Sequence, residues 1–168
     1  GLLDKKGEWT ILPEHDDIHI GARNMWYAMD NNKWGVVGTN GQFVIPMEYE
    51  NVWIHTDNGI TVAKANHSQS RYDYDGSLID EFVFDEVYQL AYYINEFDKD
   101  GNQKQAIDNG MLKYSANNFY GLMSKDGTPV TPPLYENIEA VSPGVYQCHI
   151  PETYECIMVN AKGEKIND

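Results

Sequence analysis

The sequence predicts an all-β fold built from tandem hairpin repeats of about 35 residues. A glycine-centred turn returns along the whole chain, and short apolar runs of strand length lie on both sides of it. Successive turn glycines are 34, 35, 51 and 36 residues apart, so one period holds with a single long exception. These glycines are Gly7, Gly41, Gly76, Gly127 and Gly163.

The first element of each unit is predicted to be a β-hairpin around the turn glycine. In the second unit, Val36-Val37 precedes the turn and Phe43-Val44-Ile45 follows it. Gly41 supplies the positive φ that such a turn requires. Pro46 is expected to end the second strand, because proline cannot donate to the ladder. Its counterparts in other units are Pro13, Pro132 and Pro133.

The rest of each unit is predicted to be a corner followed by a third strand. Eight positions after the turn glycine comes an aromatic or histidine slot, filled by His15, Tyr49, Phe84 and Tyr135. Two acidic or amide residues follow this slot and form the corner. The third strand begins near Gly59 in one unit and near Gly144 in another. Three short strands cannot bury an apolar face alone, so neighbouring units are expected to stack.

The pattern predicts one domain over residues 1–168. Its units are about 1–32, 33–69, 70–117, 118–154 and a partial unit at 155–168. In a closed propeller the two chain ends usually complete one blade, so each end must supply a different part of the repeat. Here the first and last segments both contain the same part, the hairpin around the turn glycine. An open, twisted, solenoid-like array is therefore favoured, and a closed propeller is the alternative.

The second and fourth units resemble the bacterial WG-containing repeat. The residues that carry the resemblance are Trp34-Gly35, Gly41, Ile45-Pro46 and Tyr49-Glu50-Asn51, with Tyr120-Gly121, Gly127 and Tyr135 at matching positions. The resemblance extends along the chain in four to five copies. It implies an all-β repeat protein from a bacterium, and it brings no catalytic residues with it.

The one long spacing places an insertion in the third unit, near residues 88–109. Two apolar arms flank residues 98–102, which have the composition of a hairpin turn. Strand-favouring side chains in the first arm favour a protruding hairpin. A helix is the alternative, since helical spacing relates Phe84, Val87, Ala91 and Ile94.

The insertion supplies the candidate binding residues, because insertions in repeat arrays commonly carry the contact specific to one protein. The candidates are Tyr92, Tyr93, Phe97, Asp98 and Asp100. The alternative is that the aromatic side chains pack on a neighbouring unit.

The charge balance limits the partners. With 12 basic and 26 acidic residues the formal net charge is −14, which repels nucleic acid and anionic lipid. No apolar run reaches the length of a membrane-spanning helix, about 20 residues. We therefore expect no nucleic-acid partner and no membrane insertion.

No motif predicts catalysis or a cofactor. The sequence lacks a P-loop, a dinucleotide-binding fingerprint and a nucleophile elbow. Metal donors occur together at His15, Asp16, Asp17 and His19, but they occupy the repeated corner. Residues 73–76 and 98–102 fit hairpin turns better than calcium loops. We expect no cofactor, no metal site and no enzymatic activity.

Cys148 and Cys156 are placed symmetrically about Glu152. A hairpin centred on Glu152 would set the two cysteines opposite each other, within reach of a disulfide. The alternative is two small buried hydrophobic side chains, of which Cys156 occupies the slot held by Trp34 and Tyr120.

Two functions follow from this fold. The first is a non-catalytic scaffold that presents a β surface to a protein partner. The second is a carbohydrate- or cell-surface-binding module, since 12 Tyr and 4 Trp accompany many Asp and Asn residues. The sequence starts at Gly1 without a methionine, which fits prior removal of a signal or a tag. We expect an extracytoplasmic location in a bacterium, in the periplasm or at the cell surface.

Overall fold

The computed structural model describes residues 1–166, which form antiparallel β-sheets and a short 3-10 helix at Ala22–Asn24. Among these residues there is no α-helix, and none of their sheets closes into a barrel. The all-β prediction is confirmed, and the open sheets are consistent with an open repeat array. The chain divides into two compact units, Gly1–Val83 and a second one that begins at Phe84.

The first compact unit holds three sheets. A two-stranded sheet pairs β1 (Leu2–Leu3) with β2 (Trp9–Ile11). The next sheet runs in chain order through β3 (Asp17–Ile20), β4 (Trp26–Asp30), β5 (Lys33–Val37) and β6 (Phe43–Tyr49). The third sheet contains β7 (Asn51–Ile54), β8 (Ile60–Ala63), β9 (Gln69–Tyr72) and β10 (Leu78–Val83).

The second compact unit holds two sheets. One contains β11 (Glu86–Phe97), β12 (Gln103–Ala116) and β13 (Phe119–Ser124). The other contains β14 (Asn137–Ser142), β15 (Val145–His149) and β16 (Cys156–Asn160). Single bridges, Tyr120 with Tyr135 and Val159 with Lys165, add a fourth segment to each sheet.

The repeating sheet therefore has one strand more than the unit predicted from sequence. The additional strand follows the acidic corner, as in Asp17–Ile20 and Asn51–Ile54. Its first residues are of turn-forming types, which hid the strand from local pattern analysis. The first residue of the corner makes the same backbone hydrogen bond in two units. The amide of Glu50 donates to Ala63 O at 2.9 Å, and the amide of Glu136 donates to His149 O at 2.9 Å.

All five turn glycines adopt the left-handed backbone that their turns require, with φ between +75° and +88°. Two of them are also needed for close approach to a preceding sheet segment. A Cβ on Gly41 would lie 2.9 Å from Thr10 O, and one on Gly76 would overlap Val44 O. The same small residue thus allows both the turn and the packing of one hairpin on the preceding one.

The aromatic-glycine pair has a defined place in the sheet. Trp34 pairs with Tyr49, and the corresponding Tyr120 pairs with Tyr135. A Cβ on Gly35 would lie 2.6 Å from Ile45 O, because the partner strand passes directly over it. The glycine is therefore required by packing and not by its φ.

The prediction that Pro46 ends its strand is wrong. Strand β6 continues through Pro46 to Tyr49. The register shifts from Trp34 opposite Tyr49 to Val36 opposite Ile45, which marks an irregularity around the proline. Strand β6 lies at the edge of its sheet, where the missing N–H of a proline is tolerated.

Buried tyrosines contribute to the core of the second compact unit. Tyr114 and Tyr146 are fully buried, and each hydroxyl has an acceptor. Tyr114 Oη donates to Thr131 O at 2.6 Å, and Tyr146 Oη donates to Asp108 Oδ2 at 2.8 Å. Leu122, Ile138 and Cys148 belong to the buried residues around them.

We predict that Gly35→Ala destabilises the first compact unit by about 2 kcal/mol. The new Cβ would overlap the backbone of Ile45 and Met47, which cannot move without disturbing β6. Tryptophan fluorescence during urea unfolding reports this unit, because all four tryptophans lie in it. Gly7→Ala is the control: its φ is +83° but its Cβ meets open space, so it should cost about 1 kcal/mol. Equal losses would contradict the steric role of Gly35.

We predict that the fold loses stability in alkali. Burial raises the pKa of Tyr114 and of Tyr146 above the ordinary 10.0, and burial raises the pKa of the Cys148 thiol from 9.0 to about 12. These groups ionise earlier in the unfolded chain, so their stabilisation is complete below about pH 9 and is lost as pH rises through the folded-state values. The melting temperature should fall progressively above pH 9, and Tyr114→Phe should reduce that slope. A flat profile would contradict this account.

Candidate functional site

Strands β11 and β12 form a long hairpin, which we call the insertion hairpin. The inserted residues form its outer part. Strand β13 pairs only with β12 from Met111 to Ala116. The remainder, Ala91–Phe97 with Gln103–Ile107, is therefore a two-stranded extension of a three-stranded sheet. The helical alternative for this segment is wrong, because residues 86–97 are extended and paired.

The structure separates the predicted aromatic residues of the insertion. Tyr92 is half-buried and packs against the core of the second compact unit. Tyr93 is 63% exposed and Phe97 is 59% exposed. Neighbouring residues of a strand point to opposite faces, so Tyr92 anchors the hairpin while Tyr93 faces outward. Sequence analysis missed Ile107, which is 53% exposed, because it stands alone in a polar segment.

The two predicted aspartates lie at the tip of the insertion hairpin. Asp98 Oδ1 accepts hydrogen bonds from the amides of Asp100 at 2.8 Å and Asn102 at 2.9 Å. These bonds, above all that from Asn102, lower the pKa of the Asp98 carboxyl. Gly101 completes the turn with φ of +85°. Asp98 therefore closes the turn, and Asp100 is exposed beside it.

A buried aspartate holds the base of the insertion hairpin. Asp108 is only 7% exposed and accepts hydrogen bonds from Gly110 N at 2.7 Å and Met111 N at 3.2 Å, besides the one from Tyr146. It lies in a bulge of β12, where the register shifts between Gln89 and Ala91. The sequence analysis placed Asp108 inside the insertion near residues 88–109 and gave it no role. Asp108 connects the hairpin with β15 by a fully buried contact.

A groove of about 420 Å³ lies beside the insertion hairpin, between β11 and β14. Leu90, Ala91, Ile138 and Val141 give it apolar walls, and Tyr93 stands at its edge. Its charged lining residues are Lys113 and Glu139. Both strands are edge strands of their sheets, so the groove lies between two sheet edges.

Lys113 is fixed at the bottom of this groove. Its Nζ donates to Asn137 Oδ1 at 2.7 Å and to Ile138 O at 3.1 Å, and lies 4.9 Å from the centre of the Tyr120 ring. Partial burial lowers the pKa of the ammonium group. The lysine is thus a structural bridge between two sheets and a fixed positive charge in the groove.

The predicted alignment of the two cysteines is wrong by one residue. His149 lies opposite Cys156, and Cys148 lies opposite Ile157. Cys148 is consequently buried, Cys156 is exposed, and both thiols are free. The disulfide that the sequence left open is not formed, and of the two cysteines only Cys148 is the small buried hydrophobic side chain of the alternative.

His15 and Asp16 of the first corner both bond to Asp30 at the end of β4. His15 Nδ1 lies 2.8 Å from Asp30 Oδ2, and the amide of Asp16 donates to Asp30 Oδ1 at 2.9 Å. The His15 hydrogen bond, followed by that from Asp16, lowers the pKa of Asp30. Within residues 1–166 no group of three or more His, Cys, Asp or Glu side chains is arranged to hold a metal ion.

Comparison with known families identifies the repeat. The family model described as "WG containing repeat" matches residues 34–66 and residues 120–146. These two segments are WG repeats. Both matched segments start at the aromatic-glycine pair that faces Tyr49 or Tyr135 in the sheet. A search of curated proteins finds no match. In the described part of the chain, no helix has the length and apolar character needed to cross a membrane.

The WG aromatic residue occupies equivalent surroundings in both matched repeats. The Trp34 ring lies 5.6 Å from that of His19, edge to face. The Tyr120 ring lies 6.1 Å from that of Tyr88. His19 and Tyr88 each stand twelve positions after a turn glycine, on the first strand of the same sheet. Each of these WG-repeat sheets thus carries an aromatic pair across its strands.

We predict that Asp108→Ala destabilises the second compact unit by about 2 kcal/mol, since the buried Met111 amide, the Gly110 amide and the Tyr146 hydroxyl lose their acceptor. Hydrogen exchange of the β11 and β12 amides, with the melting temperature, measures the effect. Asp100→Ala at the exposed tip is the control and should leave both unchanged. Similar effects of the two substitutions would show that Asp108 does not secure the hairpin.

Proposed function

We propose that this chain is a non-catalytic binding domain whose insertion hairpin docks a protein partner. The observation that carries the proposal is the exposure of Tyr93 and Phe97 on a two-stranded extension. Aromatic side chains that remain exposed on a defined scaffold are typical anchors of protein interfaces, because they bury a large area at a low cost in conformational entropy.

The base of the hairpin supports this role. Tyr92 packs into the core, and Asp108 connects β12 with Tyr146 of β15. Both contacts limit the motion of the extension, so less conformational entropy is lost when a partner binds. A binding surface held in this way keeps Tyr93 in position beside the groove.

The groove beside Tyr93 suits an extended segment of the partner. Its apolar walls can receive aliphatic side chains, while edge strands β11 and β14 offer backbone groups of the kind used in strand addition. The net charge of −14 favours a partner surface with basic residues, which would also increase the association rate at low salt.

Trp26 and Trp53 give little support to carbohydrate binding. Trp26 packs against the small core cluster around Ile11, Ala28 and Val37. Trp53 is half-buried on β7. Stacking on a sugar face needs an open aromatic ring, which these two side chains do not offer along their full face. Glycan binding is therefore an outcome of the test below and not a second proposal.

The proposal predicts that Tyr93→Ser/Phe97→Ser strongly weakens partner binding without changing the melting temperature. Point substitutions are preferable to deletion of the hairpin, because deletion would also remove Tyr92 from the core. Immobilised wild-type protein is used to capture partners from an extract of the encoding organism, and a captured protein is purified for titration. Its affinity for the double variant should be at least about 30-fold weaker, equivalent to about 2 kcal/mol.

Phe43→Ser/Leu78→Ser is the matched control, since both side chains are exposed to a similar degree in the first compact unit. It should leave the affinity unchanged. Equal weakening by both double variants would refute a role for the hairpin. A glycan array tests the carbohydrate alternative. The proposal would be overturned if wild type and Tyr93→Ser/Phe97→Ser both bound a specific glycan and no protein partner were captured from the extract.

A further inference from the structure

The last sheet brings three chemically reactive side chains together on one face. Strands β14, β15 and β16 contribute Glu139, His149 and Cys156, respectively. His149 lies directly opposite Cys156, and Cys156 Sγ is 3.4 Å from His149 Nδ1. The other ring nitrogen, His149 Nε2, is 3.3 Å from Glu139 Oε2. The imidazole therefore lies between a thiol and a carboxylate.

These residues replace the aromatic pair found in the WG repeats. Cys156 stands seven positions before its turn glycine, in the slot held by Trp34 and Tyr120. Glu139 stands twelve positions after the preceding turn glycine, in the slot held by His19 and Tyr88. In the matched repeats these two positions hold neighbouring rings. In the last sheet they hold the thiol of Cys156 and the carboxylate of Glu139.

The thiol of Cys156 is accessible, whereas that of Cys148 is not. Cys156 is exposed and lines an open groove of about 910 Å³ together with His149, Glu136, Glu152 and Tyr154. Cys148, the neighbour of His149 in sequence, points into the core. Cys156 lies opposite His149, the residue that follows Cys148 on the other strand. The same hairpin therefore holds one buried cysteine, Cys148, and one accessible cysteine, Cys156.

We propose that Cys156 is a thiol–disulfide exchange site that accepts small cationic disulfides. His149 Nδ1 is placed to accept the thiol proton, and the thiolate is the form of cysteine that attacks a disulfide. In that arrangement His149 Nε2–H donates to Glu139, which holds the ring in position and stabilises the imidazolium. Glu139 acts through His149 and is a positioning residue.

The exchange is balanced without a further reagent. The Cys156 thiolate forms a bond to one sulfur of the small disulfide, and the bond between the two sulfurs of that disulfide breaks. The leaving thiolate takes the proton held by His149. One half of the small disulfide stays bound to Cys156 as a mixed disulfide, and the other half leaves as a thiol.

The preference for a cation follows from the groove. Glu136 and Glu152 line the groove with the thiol, Glu139 lies against His149, and within the described lining of this groove there is no lysine or arginine. Like charges repel an anionic disulfide, while an aminoalkyl disulfide is attracted to the carboxylates. Tyr154 is fully exposed beside them and offers a ring face to an ammonium group.

The test compares two disulfides on the intact, reduced protein at neutral pH and low salt. Cystamine carries two ammonium groups, and oxidised glutathione carries a net negative charge. Intact mass and peptide mapping should show one cysteamine adduct on Cys156 and none on Cys148 of the folded protein. The rate constant for cystamine should exceed that for oxidised glutathione, and 0.5 M salt should reduce the difference.

His149→Gln should slow the cystamine reaction by a factor of about ten, because the thiolate loses its neighbouring imidazolium. Glu139→Gln should slow it to a smaller extent, and His19→Gln in the first compact unit is the matched control with no expected effect. His149 is partly exposed, so the fold should persist, as the melting temperature will verify. Equal rates for wild type and His149→Gln, a faster reaction with oxidised glutathione, or modification of Cys148 in the folded protein would overturn the proposal.

Discussion

Close approach of backbone segments at the repeated glycines is the constraint on which the rest of the structure depends. Each turn glycine has a left-handed φ, and at Gly41 and Gly76 the backbone of a preceding segment occupies the space of a side chain. A hairpin of this size is marginal alone and gains stability only against a neighbour. A side chain at Gly41 or Gly76 would push the neighbouring hairpins apart. The same glycine therefore allows both the turn and the packing contact.

The insertion hairpin shows how a repeat sheet can be lengthened without loss of order. Its outer part has two strands and a polar, self-closing turn at Asp98, which alone would be only marginally stable. Asp108 and Tyr92 connect its base to the core of the second compact unit. A buried carboxylate is costly unless its hydrogen bonds are satisfied, and here three donors satisfy it. The result is an exposed surface on a restrained support, which suits a binding role.

Equivalent positions of the sheets have diverged in chemistry while keeping their geometry. The cross-strand neighbours that place two aromatic rings together in the WG repeats place a carboxylate, an imidazole and a thiol together in the last sheet. Cross-strand pairs are the interacting unit of a sheet, so a change of residue type at fixed register changes the chemistry of the face. The fold can therefore present the exposed aromatic side chains of the insertion hairpin and the exposed thiol of Cys156 on different sheets of the same compact unit.

The sequence by itself determined the all-β class, the period and the turn glycines, because these depend on local backbone preferences. It also placed the insertion and its aromatic residues. Tertiary structure alone decided that Tyr92 is half-buried while Tyr93 is exposed, that Asp108 holds the hairpin base, and that His149 faces Cys156. The physical reason is register: a shift of one residue moves every side chain of a strand to the other face, and long-range packing, not local composition, selects between the two faces.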